Sequence, residues 1–325
     1  MGILQGKVYK KNKGKSVRME KLKKIKALKK YKWLKNIVSN GISIVSRISP
    51  TLGTKLVYYI TMEKKLDLKN PKTLNEKIQY LKLNDYKNNE LISTMVDKYR
   101  VREYLTKSGA GGALAKLYGA YDSVEELEQD LDKLPKRFVL KCNHDSGSII
   151  ICHDKDNFDW KSTKEKLRKA LKNDYWTRHV EIQYKYINKR KIICEEYLED
   201  GYEGLITYKF FCFYGVPRFL YAAFIKNGES IINCYDMEFI PIKMSRKHEG
   251  QDYSIKKPDN WSELVNTARR LSKPLPFVRV DLYSCYGKVY FSEFTVCPTG
   301  GLIKYNEAGV DEKLGELLEL KELRH

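Results

Sequence analysis

Residues 138–147 read FVLKCNHDSG, and 148–154 continue SIIICHD. The first stretch is apolar up to Lys141, then turns through Asn143, His144, Asp145, Ser146 and Gly147. The second is a β-branched run of strand length with its own polar end, so the two are expected to pair as a hairpin across a polar, glycine-containing turn. In a P-loop the glycine-rich turn opens a helix whose N-terminus holds phosphate. Here the chain returns as a strand. The turn can therefore offer only backbone N–H groups, small side chains and the Lys141 ammonium at the strand end. Such a tip suits folding over phosphates, although a surface hairpin with a snorkelling lysine has the same pattern.

The chain around this hairpin divides by composition. Residues 1–35 hold 14 Lys and Arg against one acid, Glu20, and so carry +13 of the net +20. Met19, Leu22, Ile25, Leu28, Trp33, Leu34 and Ile37 are placed to give a basic helix an apolar stripe. A solvated tail and an anionic membrane surface reached through residues 1–37 are both consistent with this arm. No RNP, KH, zinc-finger or helix-turn-helix signature lies beyond it, which argues against nucleic acid. There is no apolar run of 18 residues to span a bilayer and no apolar h-region of a signal peptide. Residues 36–60 read as two short helices broken at Gly41, Pro50 and Gly53.

At PKTLNEKIQYLKL, Thr73 and Glu76 have capping-box spacing and start a helix near Leu74. LISTMVDKYRVREYLTK (91–107) reads as one more helical stretch, stopped by SGAGGA. That glycine-rich piece follows a helix rather than a strand, so it is a helix stop and not a dinucleotide loop. After the hairpin come a helix at 161–173 and strands at 191–198, 205–213 and 217–225. A helix at NWSELVNTARRLSK follows, with Asn260 and Glu263 at capping-box spacing, and then two last strands, FVRVDLY and KVYFSEFTV, around SCYG. With 42% hydrophobic residues the chain can build a real core, and hairpins mixed with helices give an α+β fold with antiparallel sheets. Seven scattered cysteines without a CxxC pair, and five histidines without metal spacing, suit a reducing cytosol and no transition-metal site.

Two further stretches carry candidate chemistry. Alternation places Arg279 and Asp281 on one face of FVRVDLY, and Phe291, Glu293 and Thr295 on one face of KVYFSEFTV. If the intervening turn has an odd number of residues, Asp281 and Glu293 become neighbours. Two close carboxylates repel unless a cation or an arginine sits between them, and magnesium with nucleotide phosphates is one remedy. A polar, solvated hairpin face has the same pattern. In KIICEEYLEDG an apolar strand leaves the core as paired acids, suited to an adenine edge and a ribose, or simply to an exposed edge strand.

In this order, the covering hairpin, the EEYL hinge, YKFFCFYG, RVD and the E-x-T-x-x-P-x-G-G tail resemble the ATP-grasp fold. The last segment looks like the D-alanine–D-alanine ligase pattern. NPKTLNEKIQYLKL, DKYRVREYL, LPKRFVLKCNHDSG, CEEYLED and LPFVRVDLYSCYGKVYFSEFT resemble the TupA-like branch more closely, from about Pro71 to Leu320. That branch is associated with teichuronopeptide and capsular-polysaccharide synthesis.

The resemblance implies two lobes gripping Mg–ATP. By position Lys141 touches the phosphates, and His144, Asp145, Ser146 and Gly147 form the mobile cover. Glu195, Glu196, Tyr197 and Leu198 form the adenine strand, with Glu196 or Glu199 as the ribose acid. Lys209 reaches the phosphates from the other lobe. Asp281 and Glu293 ligate Mg²⁺, and Arg279 stabilises charge developing in the transfer. Thr295 stands where the family pattern has a metal-binding Asn, a weaker ligand. The usual N-terminal βαβ domain is not visible.

The implied organisation is a basic arm, helical or partly disordered, at 1–60, a helical front at 61–134, a small lobe with the covering hairpin at 135–200, and a C-terminal lobe with the magnesium site at 201–325. The implied function is an ATP-dependent, ADP-forming carboxylate–amine ligase acting in the cytoplasm or on the inner face of the membrane. It would join an amine or amino acid to a uronic-acid polysaccharide or lipid-linked glycan. A glycosyl- or phosphotransferase of capsule assembly, and a non-catalytic binder of anionic polymer or membrane, are the alternatives.

Overall fold

Two antiparallel sheets carry the molecule's polar centre. The structure is a computed structural model and describes residues 37–200, 204–244 and 255–320. The stripe from Met19 to Leu34, and with it most of the 1–37 membrane segment, lies outside the described residues. The small sheet has strand order β1-β4-β2-β3, with β1 Leu117–Tyr121, β2 Phe138–Cys142, β3 Ile150–Cys152 and β4 Ile192–Glu196. The large sheet runs β7-β6-β5-β8-β9, with β5 Thr207–Phe213, β6 Val216–Lys226, β7 Glu229–Tyr235, β8 Phe277–Cys285 and β9 Lys288–Thr295. The 138–152 hairpin pairs as expected, Phe138 opposite Cys152. β1 and β7 are strands the sequence reading did not contain. The 61–134 region therefore supplies an edge strand of the small sheet as well as helices.

Helices precede and cover the sheets: α1 (37–48), α2 Pro50–Met62, α3 Leu74–Leu83, α4 Glu90–Val96, α5 Val101–Lys107, α6 Val124–Gln129, α7 Trp160–Lys172, α8 Trp176–His179, α9 Trp261–Ser272 and α10 Val310–Glu316. The capping box at Thr73 and Glu76 is present, both halves formed. The second one is not. Asn260 makes no side-chain cap; it donates to the Gly287 carbonyl at 3.1 Å and accepts from the Ser284 hydroxyl at 2.8 Å. It is spent on the β8–β9 turn, a tertiary use that helix spacing cannot reveal.

The stretch 91–107 is two helices rather than one. Asp97 ends α4 because its carboxylate accepts from Tyr99 N and Arg100 N, a local turn that competes with helix continuation. Each sheet has a buried face. Phe138, Leu140, Cys142, Ile192 and Cys194 pack under α6 and α7 with Leu127 and Leu167. In the large sheet Phe210, Val280, Leu282 and Phe294 join Leu264, Ala268 and Leu271 of α9. The opposite, polar faces present Lys141 and Glu195 from one sheet, and Lys209, Arg279 and Asp281 from the other. All seven cysteines are buried and free.

Candidate active site

The C-terminal hairpin brings its two acids together by an unexpected route. Its turn, Tyr286–Gly287, has two residues, both at positive φ, the geometry favoured between twisted strands. With an even turn, strict alternation would place Asp281 opposite Ser292. A bulge between Asp281 and Leu282 on the partner side brings Glu293 opposite Asp281 instead, while Phe291 faces Leu282. Phe291 therefore turns into the core, 8% exposed, and does not share a face with Glu293 and Thr295 as alternation suggested.

Arg279 lies beside these acids. Its Nε donates to Asp281 Oδ1 at 2.7 Å and its Nη2 to Asp281 Oδ2 at 2.6 Å, a bidentate pair. Nη2 also donates to Thr295 Oγ1 at 2.9 Å and stands 3.7 Å from Glu293 Oε1. Lys209, in register with Asp281 on β5, donates to Asp281 Oδ2 at 2.9 Å. Burial alone would raise the Asp281 pKa, but Arg279 and Lys209 outweigh it and hold the carboxyl below its ordinary range. The acid pair is thus balanced by two protein cations, one of them between the carboxylates.

Across from this hairpin, Lys141 on β2 pairs with Glu195 on β4 at 2.5 Å, and Arg102 of α5 reaches the other oxygen of Glu195 at 3.1 Å. Glu195 is buried and committed to these cations. Glu196 accepts from Lys116 N at 3.3 Å, and Glu199 pairs with Arg137 at 2.8 Å. Tyr197 meets His153 edge to face, with the Arg137 guanidinium over its ring. Leu198 follows β4 in the hinge, half-buried.

Of the cover, Ser146 and Gly147 are exposed at the tip, while His144 and Asp145 are buried beneath it. Asp145 Oδ1 accepts from the Ser148 hydroxyl at 2.6 Å, and that hydroxyl in turn accepts from Cys142 N at 2.7 Å. Burial, then nearby Arg190, keeps the His144 pKa low. The expected four-residue cover is therefore a two-residue tip on an anchored base.

The side chains that join the lobes were missed in the sequence. Lys98, in the break between α4 and α5, donates its ammonium to the Asp145 carbonyl and feels the charges of Glu293 and Lys141. Burial dominates there and lowers its pKa. Asn143 donates to Asp97 Oδ1 at 3.0 Å and accepts from Lys191 N at 2.8 Å, tying the hairpin turn to the same break. Tyr283 of β8 feels Lys141 from one sheet and Glu293 and Asp281 from the other. The lysine-bearing hairpin and the acid pair thus share one polar centre. The signal for Lys98 was available: an Asp-Lys pair interrupting an otherwise apolar helical period.

On the helical side, Glu181 is buried, hydrogen-bonded to Tyr175, and within the fields of Lys82, Glu293 and Lys98. Burial pushes its pKa up to about 7. Lys82 of α3 is 1% exposed and makes no hydrogen bond or ion pair among the described residues. The tail after β9 is clamped by α3. Gln79 donates to the carbonyls of Gly300 and Gly301, and a Cβ on Gly301 (φ +73°) would sit 2.6 Å from Gln79 Nε2. That positive φ and close approach explain the glycine.

With this geometry in place, comparison with known proteins is decisive for the family. The TupA-like ATPgrasp family model matches residues 76–319. The chain belongs to the TupA-like ATP-grasp family. No curated protein matches it. Among solved structures, the TupA-like chain is similar to the D-alanine–D-alanine ligase of Bacillus anthracis complexed with ATP, at 19% identity over 63% of this chain and 57% of that one, TM-score 0.38. It is also similar to the D-alanine–D-alanine ligase of Helicobacter pylori (13% identity, 76% and 69% covered, TM-score 0.40). A third is an ADP complex of the N5-carboxyaminoimidazole ribonucleotide synthetase purK (12% identity, 68% and 50% covered, TM-score 0.39). The TupA-like chain spans 57% and 45% of the first two structures it matches.

Proposed function

We propose that this protein is an ATP-dependent carboxylate–amine ligase. The observation that carries the reading is the polar surrounding of Tyr283: its phenol feels Lys141 from the small sheet and Asp281 and Glu293 from the large one, and Asp281 is held by Lys209 and Arg279. Three cations around this centre suit the phosphates of ATP, and the two neighbouring acids suit a divalent ion among them. The donor set fits magnesium. Asp281 and Glu293 lie in register with the Thr295 hydroxyl beside them, and no group of three or more His, Cys, Asp or Glu among the described residues offers an all-protein cage. Phosphate oxygens would complete the shell, and the ion would supply charge neutralisation at the transferred phosphoryl group.

In this reading a substrate carboxylate attacks the γ-phosphorus and the bond to ADP breaks, leaving an acyl phosphate. An amine then displaces phosphate to form the amide. Lys141 and Lys209 hold the phosphates from opposite lobes, and Arg279 sits where charge builds on the acceptor side. Glu196 or Glu199 reaches the ribose, and the Ser146–Gly147 tip closes over the phosphates. The family's association with teichuronopeptide and capsule synthesis supports a uronic-acid polymer or lipid-linked glycan as one partner and an amine or amino acid as the other. An exposed apolar stripe on α1 and α2 supports work at the inner face of an anionic membrane. No described helix is long and apolar enough to cross one. The test is to incubate the protein with Mg–ATP, a panel of uronic acids and a panel of amines. ADP together with an amide mass is expected; nucleotide-sugar turnover without ADP, or a stable phosphorylated product, would replace the ligase with a transferase.

A further inference from the structure

Helix α7 carries its positive charge on two unlike faces. On one, Lys164 pairs with Glu128, and Arg168 pairs with Glu125 at 2.9 Å and lies 3.6 Å from Glu128. On the other, Lys166, Lys169 and Lys172 make no hydrogen bond or ion pair among the described residues, and all three line a cleft of about 950 Å³. They succeed one another at intervals of three residues, so their stems span about 9 Å along the helix axis. The facing wall is the hairpin turn itself, with Gly147, Ser148, Ile149 and Ile150. Among the described residues Asp145 is the only acid lining the cleft, and its Oδ1 is already engaged by Ser148.

The cleft is bounded by the hairpin tip at Gly147. Tyr175 stands at its edge, hydrogen-bonded both to Ser146 of the tip and to Glu181, which in turn feels Glu293 and Lys98. One wall is therefore a row of unpaired cations. The other is apolar, with Ile149 59% exposed, and the Tyr175 phenol also lines the cleft. That combination fits a chain bearing a carboxylate on successive rings, whose charged edge meets the lysines and whose apolar ring faces meet the isoleucines. A single-stranded nucleic acid fits it less well, because one tyrosine offers no series of stacking platforms.

We propose that the α7 cleft binds a carboxylate-bearing saccharide chain along its row of lysines. This binding does not rest on the ligase reading. The experiment uses the full chain, fluorescently labelled oligogalacturonate as probe, and about 0.15 M salt to screen surface charge. The triple variant Lys166→Glu, Lys169→Glu, Lys172→Glu changes exposed side chains only. It should bind the probe roughly 10- to 100-fold more weakly while Mg–ATP affinity stays within about twofold. A second triple variant, Lys10→Glu, Lys11→Glu, Lys13→Glu, separates the basic arm from the cleft and should lose less than about threefold, as expected of rim charges.

Carbodiimide coupling of the probe should yield adducts on Lys166, Lys169 or Lys172. The proposal is overturned if wild-type protein does not bind the probe, if the cleft variant binds as well as wild type, or if the arm variant alone loses binding. Equal displacement by an oligothymidylate would also overturn it. Failure of wild-type protein to bind Mg–ATP would sink the ligase reading instead, and leaves the probe result to decide the cleft.

Discussion

Glu293 stands opposite Asp281 because β9 carries one extra residue, Ser292, against a two-residue turn. The pair is unequal. Asp281 is fully buried and locked to Arg279 and Lys209, whereas the Glu293 side chain is 29% exposed and only approaches Arg279. Asp281→Asn leaves the buried Arg279 and the half-buried Lys209 without their counter-charge, so it should lower unfolding stability by about 3 kcal/mol in denaturant melts. Glu293→Gln should cost under about 1 kcal/mol, as partly exposed pairs do. Both should reduce ADP formation about 100-fold or more if each serves the proposed metal and phosphates. Equal loss of stability in the two variants would refute the asymmetry.

Lys98 offers a second measurement. Its ammonium caps the Asp145 carbonyl from the break between α4 and α5, and it lies within the field of Glu293. Lys98→Met keeps the length of the stem and removes the charge. Amide exchange at residues 143–149 should then quicken by about tenfold or more, since one charged hydrogen bond of roughly 1.5–3 kcal/mol is lost. Exchange in the α9 core should stay unchanged. If the turn is as protected as before, the lysine does not anchor it.

These two cases show what the sequence could and could not disclose. Arg279 and Asp281 were legible because strand alternation separates them from the core face, and Lys141 because it ends an apolar run before a polar turn, whereas Lys209 came only from the family resemblance. The bulge at Ser292 was not, since an extra residue costs nothing in composition and reverses every parity argument beyond it, which is why Phe291 was assigned to the wrong face. Asn260 was misread for a related reason: N-cap spacing is a local pattern, and its side chain answers a distant turn. Lys98, Glu181 and Lys82 carry no sequence assignment because they belong to a helix and to the breaks beside helices, where an isolated charge ordinarily faces solvent. Only the packing of α3, the 97–100 break and the 175–187 segment against the large sheet turns them inward.

Glu181 makes a prediction about pH. Burial raises its pKa from the ordinary 4.5 to about 7. Between those values the folded chain keeps a proton that the unfolded chain has lost, so stability falls as pH rises through this window and the full penalty is present above it. Glu181→Gln removes the titration. The stability difference between variant and wild type should move by on the order of 3 kcal/mol in the variant's favour between about pH 4 and about pH 8. Urea melts of both proteins at the two pH values check it, and a constant difference would mean Glu181 does not titrate in that range.

The α1–α2 pair argues for the membrane. Ile44, Ile48, Leu52, Leu56 and Ile60 recur every four residues and are all exposed, Ile48 by 79%. The two helices meet at a corner set by Ser49, whose hydroxyl caps α2, and by Gly53, where a Cβ would lie 2.4 Å from Ser46 Oγ. That contact holds the two stripes in a fixed relation, directly after an arm carrying +13 over residues 1–35. Apolar side chains in the headgroup region and lysines over acidic lipid act together, each lysine adding about 1 kcal/mol. Full-length protein should therefore sediment with phosphatidylserine-containing vesicles and not with pure phosphatidylcholine. Ile44→Ser, Ile48→Ser and Leu52→Ser combined should weaken that binding by about 100-fold, given roughly 1.5–3 kcal/mol for each fully buried aliphatic side chain and only partial burial at an interface. Sedimentation of the triple variant at the wild-type lipid concentration would show that the arm alone provides the attachment and that the stripe faces something else.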